Sequence, residues 1–234
     1  MDDHTVTGRV LAVLDAVAAR ERTSLAGLAR DTGIPKPTAR RIAADLVIRG
    51  LLRRVQGGYQ LGDRLISLGV RAADQRNIRL ATVPHVHDLH TRTGQISWTF
   101  MLTPTAFTLL DLAFAPQCAA EIRQNPWPTD FRSRAFVNSA LGRILLTDRP
   151  ELAEPHRGTC PRLATAVQVV RDTGIAVEHE QTRPGYSCLA VHLRSPDGTL
   201  VGALGVTGRT GISASTRFTR PLLAAAEQVT RALG

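Results

Sequence analysis

Between Lys36 and Arg54 the chain sets six basic residues, Lys36, Arg40, Arg41, Arg49, Arg53 and Arg54, against one acid, Asp45, a local charge of +5. The chemistry open to such a cluster is polyanion binding: guanidinium groups pair with phosphate and bridge guanine O6 and N7 bidentately. Reading bases further requires an element slim enough to enter the major groove, and residues 25–46 supply one. Leu25, Leu28 and Ala29 recur at helical spacing, Gly33 can take the left-handed backbone that ends a helix, and Pro37 fits the first position of the next. On that second helix Ala39, Ile42, Ala43 and Leu46 share one face and are expected to pack down. Arg41, Ala44 and Ile48 share the opposite face, flanked by Arg40, Thr38 and Asp45. The pattern is a helix-turn-helix. Residues 51–55 and 59–61 then read as two strands about Gln56-Gly57-Gly58, a hairpin with a Gly-Gly turn and a basic wing. Upstream, Val10, Val13, Leu14 and Val17 form the stripe of a first helix that would cover the other two. The expected DNA contacts are Lys36, Pro37, Thr38, Arg40 and Arg41 on the helix, and Arg53, Arg54 and Gln56 on the wing.

Composition agrees with an anionic partner without identifying it. The 234 residues carry 29 Lys+Arg, of which Lys36 is the only lysine, and a net charge of +9. Arginine abundance can reflect coding bias, so the weight rests on the ordered set of helices and wing. With 43% hydrophobic and 21% charged residues the chain reads as a soluble globular protein with one or two cores. No apolar run reaches membrane-spanning length, and the opening Met1-Asp2-Asp3-His4 lacks the basic and apolar regions of a signal peptide, so a cytoplasmic location without membrane contact is expected. Cys118, Cys160 and Cys188 are odd in number and too widely spaced for a zinc pattern; reduced, mostly buried thiols are expected.

Three segments follow: a DNA-binding domain over 1–62, a linker helix over 63–77 with Leu65, Leu68 and Ala72 as its stripe, and a second domain over 78–234. In the last, helices are expected over 78–90, 140–146, 163–171 and 217–233. Strands are expected over 96–101, 106–113, 175–178, 187–193 and 200–207, with Pro196-Asp197-Gly198 as a hairpin turn. The fold class is α+β around an antiparallel sheet.

Five stretches in order make the chain, from about Val6 to Ala232, resemble the IclR family of bacterial transcriptional regulators. They are residues 32–41, the wing return Gly58-Tyr59-Gln60-Leu61-Gly62, Ser139-Ala140-Leu141-Gly142-Arg143, Gly185-Tyr186-Ser187-Cys188-Leu189-Ala190 and Gly205-Val206-Thr207-Gly208. The resemblance implies a winged helix-turn-helix, a linker helix and a C-terminal GAF-like effector-binding domain, assembled as a homodimer or dimer of dimers. It further implies a ligand-responsive regulator that binds a palindromic double-stranded DNA operator and is modulated by a small-molecule effector. Carried over by position, the effector site comprises the amides of Ser139, Ala140 and Leu141 leading into Gly142, the acidic position Glu178, the cysteine Cys188, and the paired hydroxyl positions Gly205 and Thr207. Amides at a helix start attract anions, which suits a carboxylate. Two departures stand out: Glu178 is longer than the aspartate often found there, and Gly205 has lost a hydroxyl, so a ligand larger or less polar than a small keto acid is implied. Residues 146–160 are short and carry Pro150 and Pro155, which speaks against the family's helix there. Trp98, Phe100, Trp127 and Phe131 are read as core or interface aromatics, some of which can line the pocket.

Other readings carry less. His85, His87 and His90 are close in sequence, but only His87 and His90 share a helix face and no third ligand accompanies them, against a metal site. Cys188 and His192 would point to one face of a strand, the beginning of a thiol enzyme, but no partner carboxamide or carboxylate and no oxyanion-hole motif follow. The chain is therefore expected to be no enzyme and to need no cofactor. An architectural DNA binder without a ligand is the remaining alternative, and about 150 further residues of α+β core exceed what covering DNA requires.

Overall fold

The computed structural model describes residues 5–104, 106–124, 126–156, 158–209, 212 and 215–233; the acidic opening at residues 1–4 lies outside them. The chain divides into two compact units, 1–75 and 76–234.

In the first unit α1 (Val6–Ala18), α2 (Leu25–Thr32) and α3 (Lys36–Ile48) surround Val13, Val17, Leu28, Ala39, Ala43 and Leu46, closed by Leu52 and Tyr59 from the wing. Local chemistry sets the helix starts: Thr5 Oγ1 accepts from the Gly8 amide at 2.9 Å and Ser24 Oγ from the Gly27 amide at 3.1 Å. Gly33 ends α2 at φ 68°, a left-handed value that favours glycine. Helix α3 begins at Lys36, so Pro37 takes its second position rather than the first.

Strands β1 (Leu52–Val55) and β2 (Gly58–Leu61) pair antiparallel with Val55 opposite Gly58, so the turn is Gln56-Gly57, not Gly57-Gly58. Gly57 supplies the positive φ, 84°. Gly58 is glycine for another reason: a Cβ there would lie 2.3 Å from the Thr23 carbonyl oxygen, because Thr23 forms an isolated antiparallel bridge to Tyr59. Helix α4 (Asp63–Gln75) occupies the expected linker, but its burial differs from the expected stripe. Ala73 is its one buried residue, while Ile66, Leu68 and Val70 stand 69%, 47% and 43% exposed.

The second unit contains α5 (Ile78–Thr93), β3 (Ile96–Leu102), β4 (Phe107–Ala113), a 3-10 turn at Pro116–Cys118 and the short helices α6 (Ala119–Gln124) and α7 (Arg134–Asn138). Then come α8 (Ala140–Asp148), a 3-10 segment at Pro150–His156, α9 (Leu163–Thr173), β5 (Ile175–His179), β6 (Tyr186–Arg194), β7 (Leu200–Arg209) and α10 (Thr216–Ala232). The expected strands and long helices are present; α6, α7 and the 3-10 segments are too short to show a period, and the proline-bearing 146–160 region forms 3-10 rather than α-helix. Among the described residues the strands form one antiparallel sheet ordered β4-β3-β7-β6-β5. Alternation divides it: Trp98, Cys188, Ala190 and Ala203 face a core shared with α7, α8 and α9, while Leu189, Val191, Leu204 and Val206 face α5 and α10. Covering on both faces accounts for the near-continuous burial of β6 and β7.

Candidate nucleic-acid interface and effector cavity

Helix α3 turns Ala39, Ala43 and Leu46 into the core and leaves Lys36, Pro37, Arg40, Arg41 and Ala44 exposed, with Thr38 half-buried. Arg40, Ala44 and Ile48 line one side of a groove whose other wall is Arg54, Val55 and Tyr59 of the wing. Ile48 is 84% exposed there, an apolar side chain in water of the kind that meets thymine methyl groups in a major groove. Arg41 stands one residue further round the helix. The hairpin separates the wing arginines, since Arg54 opposes Tyr59 on the helix-facing side and Arg53 opposes Gln60 on the other. The one acid of the stretch is answered locally, Arg49 Nε lying 2.8 Å from Asp45 Oδ2, which leaves the other cations unneutralised by it. The sequence reading missed Arg22: its Nη1 donates to the Gln56 carbonyl at 3.2 Å, adding a cation at the wing tip. Long-range contacts bring it there: the Thr23 bridge to Tyr59 and the bond from Gln60 Nε2 to the Glu21 carbonyl.

In the second unit the cross-strand register lines up Glu178, Cys188 and Thr207 as neighbours on β5, β6 and β7. Cys188 Sγ lies 3.0 Å from Thr207 Oγ1, which also accepts from Trp98 Nε1 at 2.8 Å. Cys188 and Thr207 border a cavity of about 260 Å³ completed by Trp127, Thr182, Arg183 and Tyr186. One wall is an ionic latch. Arg183 Nη2 approaches Glu121 Oε1 to 2.5 Å, its guanidinium lies 3.9 Å from the Tyr186 ring centroid, and the Tyr186 hydroxyl also donates to Glu121. Burial and the Glu121 hydrogen bond push the Tyr186 phenol above its ordinary range.

The remaining carried-over positions are not among the residues that line this cavity. Glu178, 1% exposed, turns to its own loop, its carboxylate accepting from the Gln181 amide and, at 3.0 Å each, from the Thr182 amide and hydroxyl. Gly205 lies beneath Trp98: a Cβ there would sit 2.3 Å from the indole Cζ2 and Cη2. Ser139 caps α8, accepting from the Gly142 amide at 3.0 Å and donating to the Phe136 carbonyl at 2.6 Å, which leaves the Ala140 and Leu141 amides without intrahelical acceptors. Gly142 is forced by packing, since a Cβ would stand 1.9 Å from the Phe136 oxygen. Arg183, Tyr186 and Thr182 were not singled out from sequence because they gather only when α6 and the 180–186 loop fold over β6.

The catalytic arrangement does not assemble. Burial first, and the Glu178 charge second, push the Cys188 thiol up to about 12, the opposite of nucleophile activation. His192 instead places Nε2 2.9 Å from Thr147 Oγ1. His87 lies 3.4 Å from Asp111 and His90 Nδ1 2.7 Å from the Gln95 carbonyl. Among the described residues no three His, Cys, Asp or Glu are placed to hold a metal, and no helix is long and apolar enough to cross a membrane.

Residues 6–56 match the IclR helix-turn-helix domain. Over 210 residues the chain is 26% identical to the glycerol operon regulatory protein of Streptomyces griseus, covering 86% of this chain and 83% of that one. It is 23% identical to the DNA-binding transcriptional repressor YiaJ of Escherichia coli, covering 90% and 80%. Among solved structures the fold matches an IclR homolog of Microbacterium hydrocarbonoxydans complexed with 4-hydroxybenzoate at a TM-score of 0.79 and 20% identity, covering 98% of this chain and 99% of that one. An IclR-type regulator of Alicyclobacillus acidocaldarius matches at 0.78 and 19%, covering 97% and 98%.

Proposed function

We propose, from the premise that the chain belongs to the IclR family of transcriptional regulators, that it binds a palindromic operator in the cytoplasm as a dimer or dimer of dimers, under the control of a small organic acid. The observation that carries the DNA half is the exposed basic face of α3 set against Arg54 across a groove. In a dimer two such faces enter successive major grooves, with Arg40 and Arg41 on bases and Arg53 on phosphate. The exposed apolar residues of α4 offer a surface for that pairing.

Arg41→Ala is expected to lower operator affinity by about 1 to 3 kcal/mol and to relax base preference. Arg53→Ala is expected to weaken all sequences alike and to reduce the salt slope by about one. Fluorescence anisotropy on operator and scrambled duplexes across a salt series separates the two; unchanged binding in both variants removes this docking.

The effector half rests on the Cys188 and Thr207 cavity. At about 260 Å³ it falls just under the roughly 300 to 1,000 Å³ of drug-sized sites, which suits a single-ring or smaller acid. The ligand carboxylate competes with Glu121 for Arg183, so binding releases α6 from the 180–186 loop. Control follows if the ligand prefers the released state, since only differential affinity shifts an equilibrium. The relative's ligand makes 4-hydroxybenzoate a fitting first probe. At 100 times its dissociation constant a bound acid stabilises by about 2.7 kcal/mol. Cys188→Phe, which fills the cavity, is expected to erase that shift; an acid that shifts the variant equally binds elsewhere.

A further inference from the structure

A second cavity, of about 490 Å³, opens between α7, α8 and the start of α9, and Cys188 and Thr207 take no part in it. Its walls include Arg134, Asn138, Arg143, Thr159, Cys160 and Arg162, and among the described residues no Asp or Glu lines it. Arg143 is 7% exposed. Its guanidinium donates to the Val177 carbonyl and to Gln181 Oε1, while its buried Nε–H has no acceptor. Burial lowers the pKa of Arg143 and the charge of Glu178 partly opposes the shift, so one carboxylate answers this one buried cation. Arg134 and Arg162 remain: two exposed arginines lining the opening, with no Asp or Glu among the described residues that line it.

We propose that this cavity is a second ligand site, specific for a doubly charged oxyanion such as the phosphate group of a phosphorylated metabolite. Two guanidiniums with no carboxylate among the described residues lining the opening match a dianion in charge, and a guanidinium's planar fork is suited to pair bidentately with phosphate oxygens. The volume leaves room for an organic residue behind the charged group. The Cys160 thiol reports on the same space. Burial alone would raise its pKa, but hydrogen bonds from Asn138, Thr159 and Arg134 outweigh burial and hold it below the ordinary thiol value. An anion bound between Arg134 and Arg162 repels the thiolate and screens it from reagents.

Calorimetric titration of the full chain at fixed ionic strength tests the site with inorganic phosphate, phenyl phosphate and, as monoanion control, acetate. Both phosphates are expected to bind saturably, and acetate about 10-fold more weakly or worse. The double variant Arg134→Ala/Arg162→Ala, altered only at exposed positions, is expected to lose about 10-fold or more in phosphate affinity. Saturating phosphate is expected to slow iodoacetamide alkylation of Cys160, followed by peptide mass mapping, in the native chain and not in the double variant. Cys188→Phe is expected to leave phosphate binding unchanged. The proposal is overturned by absent saturation, by acetate binding as tightly as phosphate, or by undiminished affinity in the double variant, which would place the anion on the DNA-binding arginines. A parallel loss in Cys188→Phe would merge the two cavities and overturn it as well. Operator anisotropy with Arg41→Ala and the 4-hydroxybenzoate shift in the Arg134→Ala/Arg162→Ala variant are read independently of phosphate titration, so the two readings fail separately.

Discussion

Gly205→Ser is expected to destabilise the second unit severely, although it restores a hydroxyl at a position where the family resemblance implies one. The new Cβ would stand 2.3 Å from two indole carbons of Trp98 and 2.6 Å from the Leu189 carbonyl oxygen. Trp98 cannot swing aside freely, because its Nε1–H donates to Thr207 Oγ1 and its ring packs edge-on against Phe100 at a centroid distance of 5.4 Å. Overpacking commonly costs about 1 to 3 kcal/mol, and an obstacle made of a pinned ring on one side and backbone on the other belongs at or above the top of that range. For a unit of this size about 3 kcal/mol corresponds to a fall in Tm of roughly 6 to 12 °C. The cause is separable from a general intolerance of serine. Trp98→Leu makes room, so Gly205→Ser combined with Trp98→Leu is expected to lose less stability than the two single losses added together. Strict additivity in denaturant titrations would show that the indole is not the obstacle. The same geometry accounts for the missing hydroxyl: Trp98 occupies its place, and Thr207, which holds the indole nitrogen, is the polar group left to face the cavity with Cys188.

Acidification is expected to weaken the second unit between pH 6.5 and 4 through His192. Burial, aided by the charge of Arg194 and opposed by Asp148, pulls its pKa from 6.5 to about 4. In that window the unfolded chain binds a proton that the folded chain does not, so stability rises with pH and is lost as pH falls. If the whole displacement acts, the loss is about 3 kcal/mol, complete near pH 4. His192→Gln keeps a donor near Thr147 Oγ1 but cannot titrate, and its unfolding free energy is expected to stay nearly level over this interval. Equal slopes for the variant and the native chain would assign the acid sensitivity to other groups. Below about pH 4 a further loss is expected in both proteins, since the hydrogen bond from Arg194 outweighs burial and lowers the Asp148 pKa.

Much of the first unit was legible because its information is local. The apolar spacing in α1 to α3, the caps Thr5 and Ser24, and Gly33 at φ 68° each act within a few residues. The wing turn was misplaced by one residue because the choice between Gly57 and Gly58 depends on Thr23, over thirty positions upstream. In the second unit the strands and long helices were legible from alternation and period, and the five-strand order was not, since it depends on which faces α5, α8, α9 and α10 cover.

The sequence by itself determined the type of this protein: a basic recognition helix and wing, followed by an antiparallel α+β unit with an IclR-like motif order. Periodicity, capping and charge density are carried by neighbours along the chain, so they survive without coordinates. The tertiary structure alone decided what each candidate residue faces. It turned Glu178 onto the amides of its own loop, put Trp98 where Gly205 lacks a side chain, and separated Arg53 from Arg54 across the wing. It also gathered Arg183, Tyr186 and Glu121 beside Cys188, and Arg134, Arg143 and Arg162 around a second opening. These are contacts between distant segments, set by register across the sheet and by which helices cover it, and no spacing along the chain encodes them.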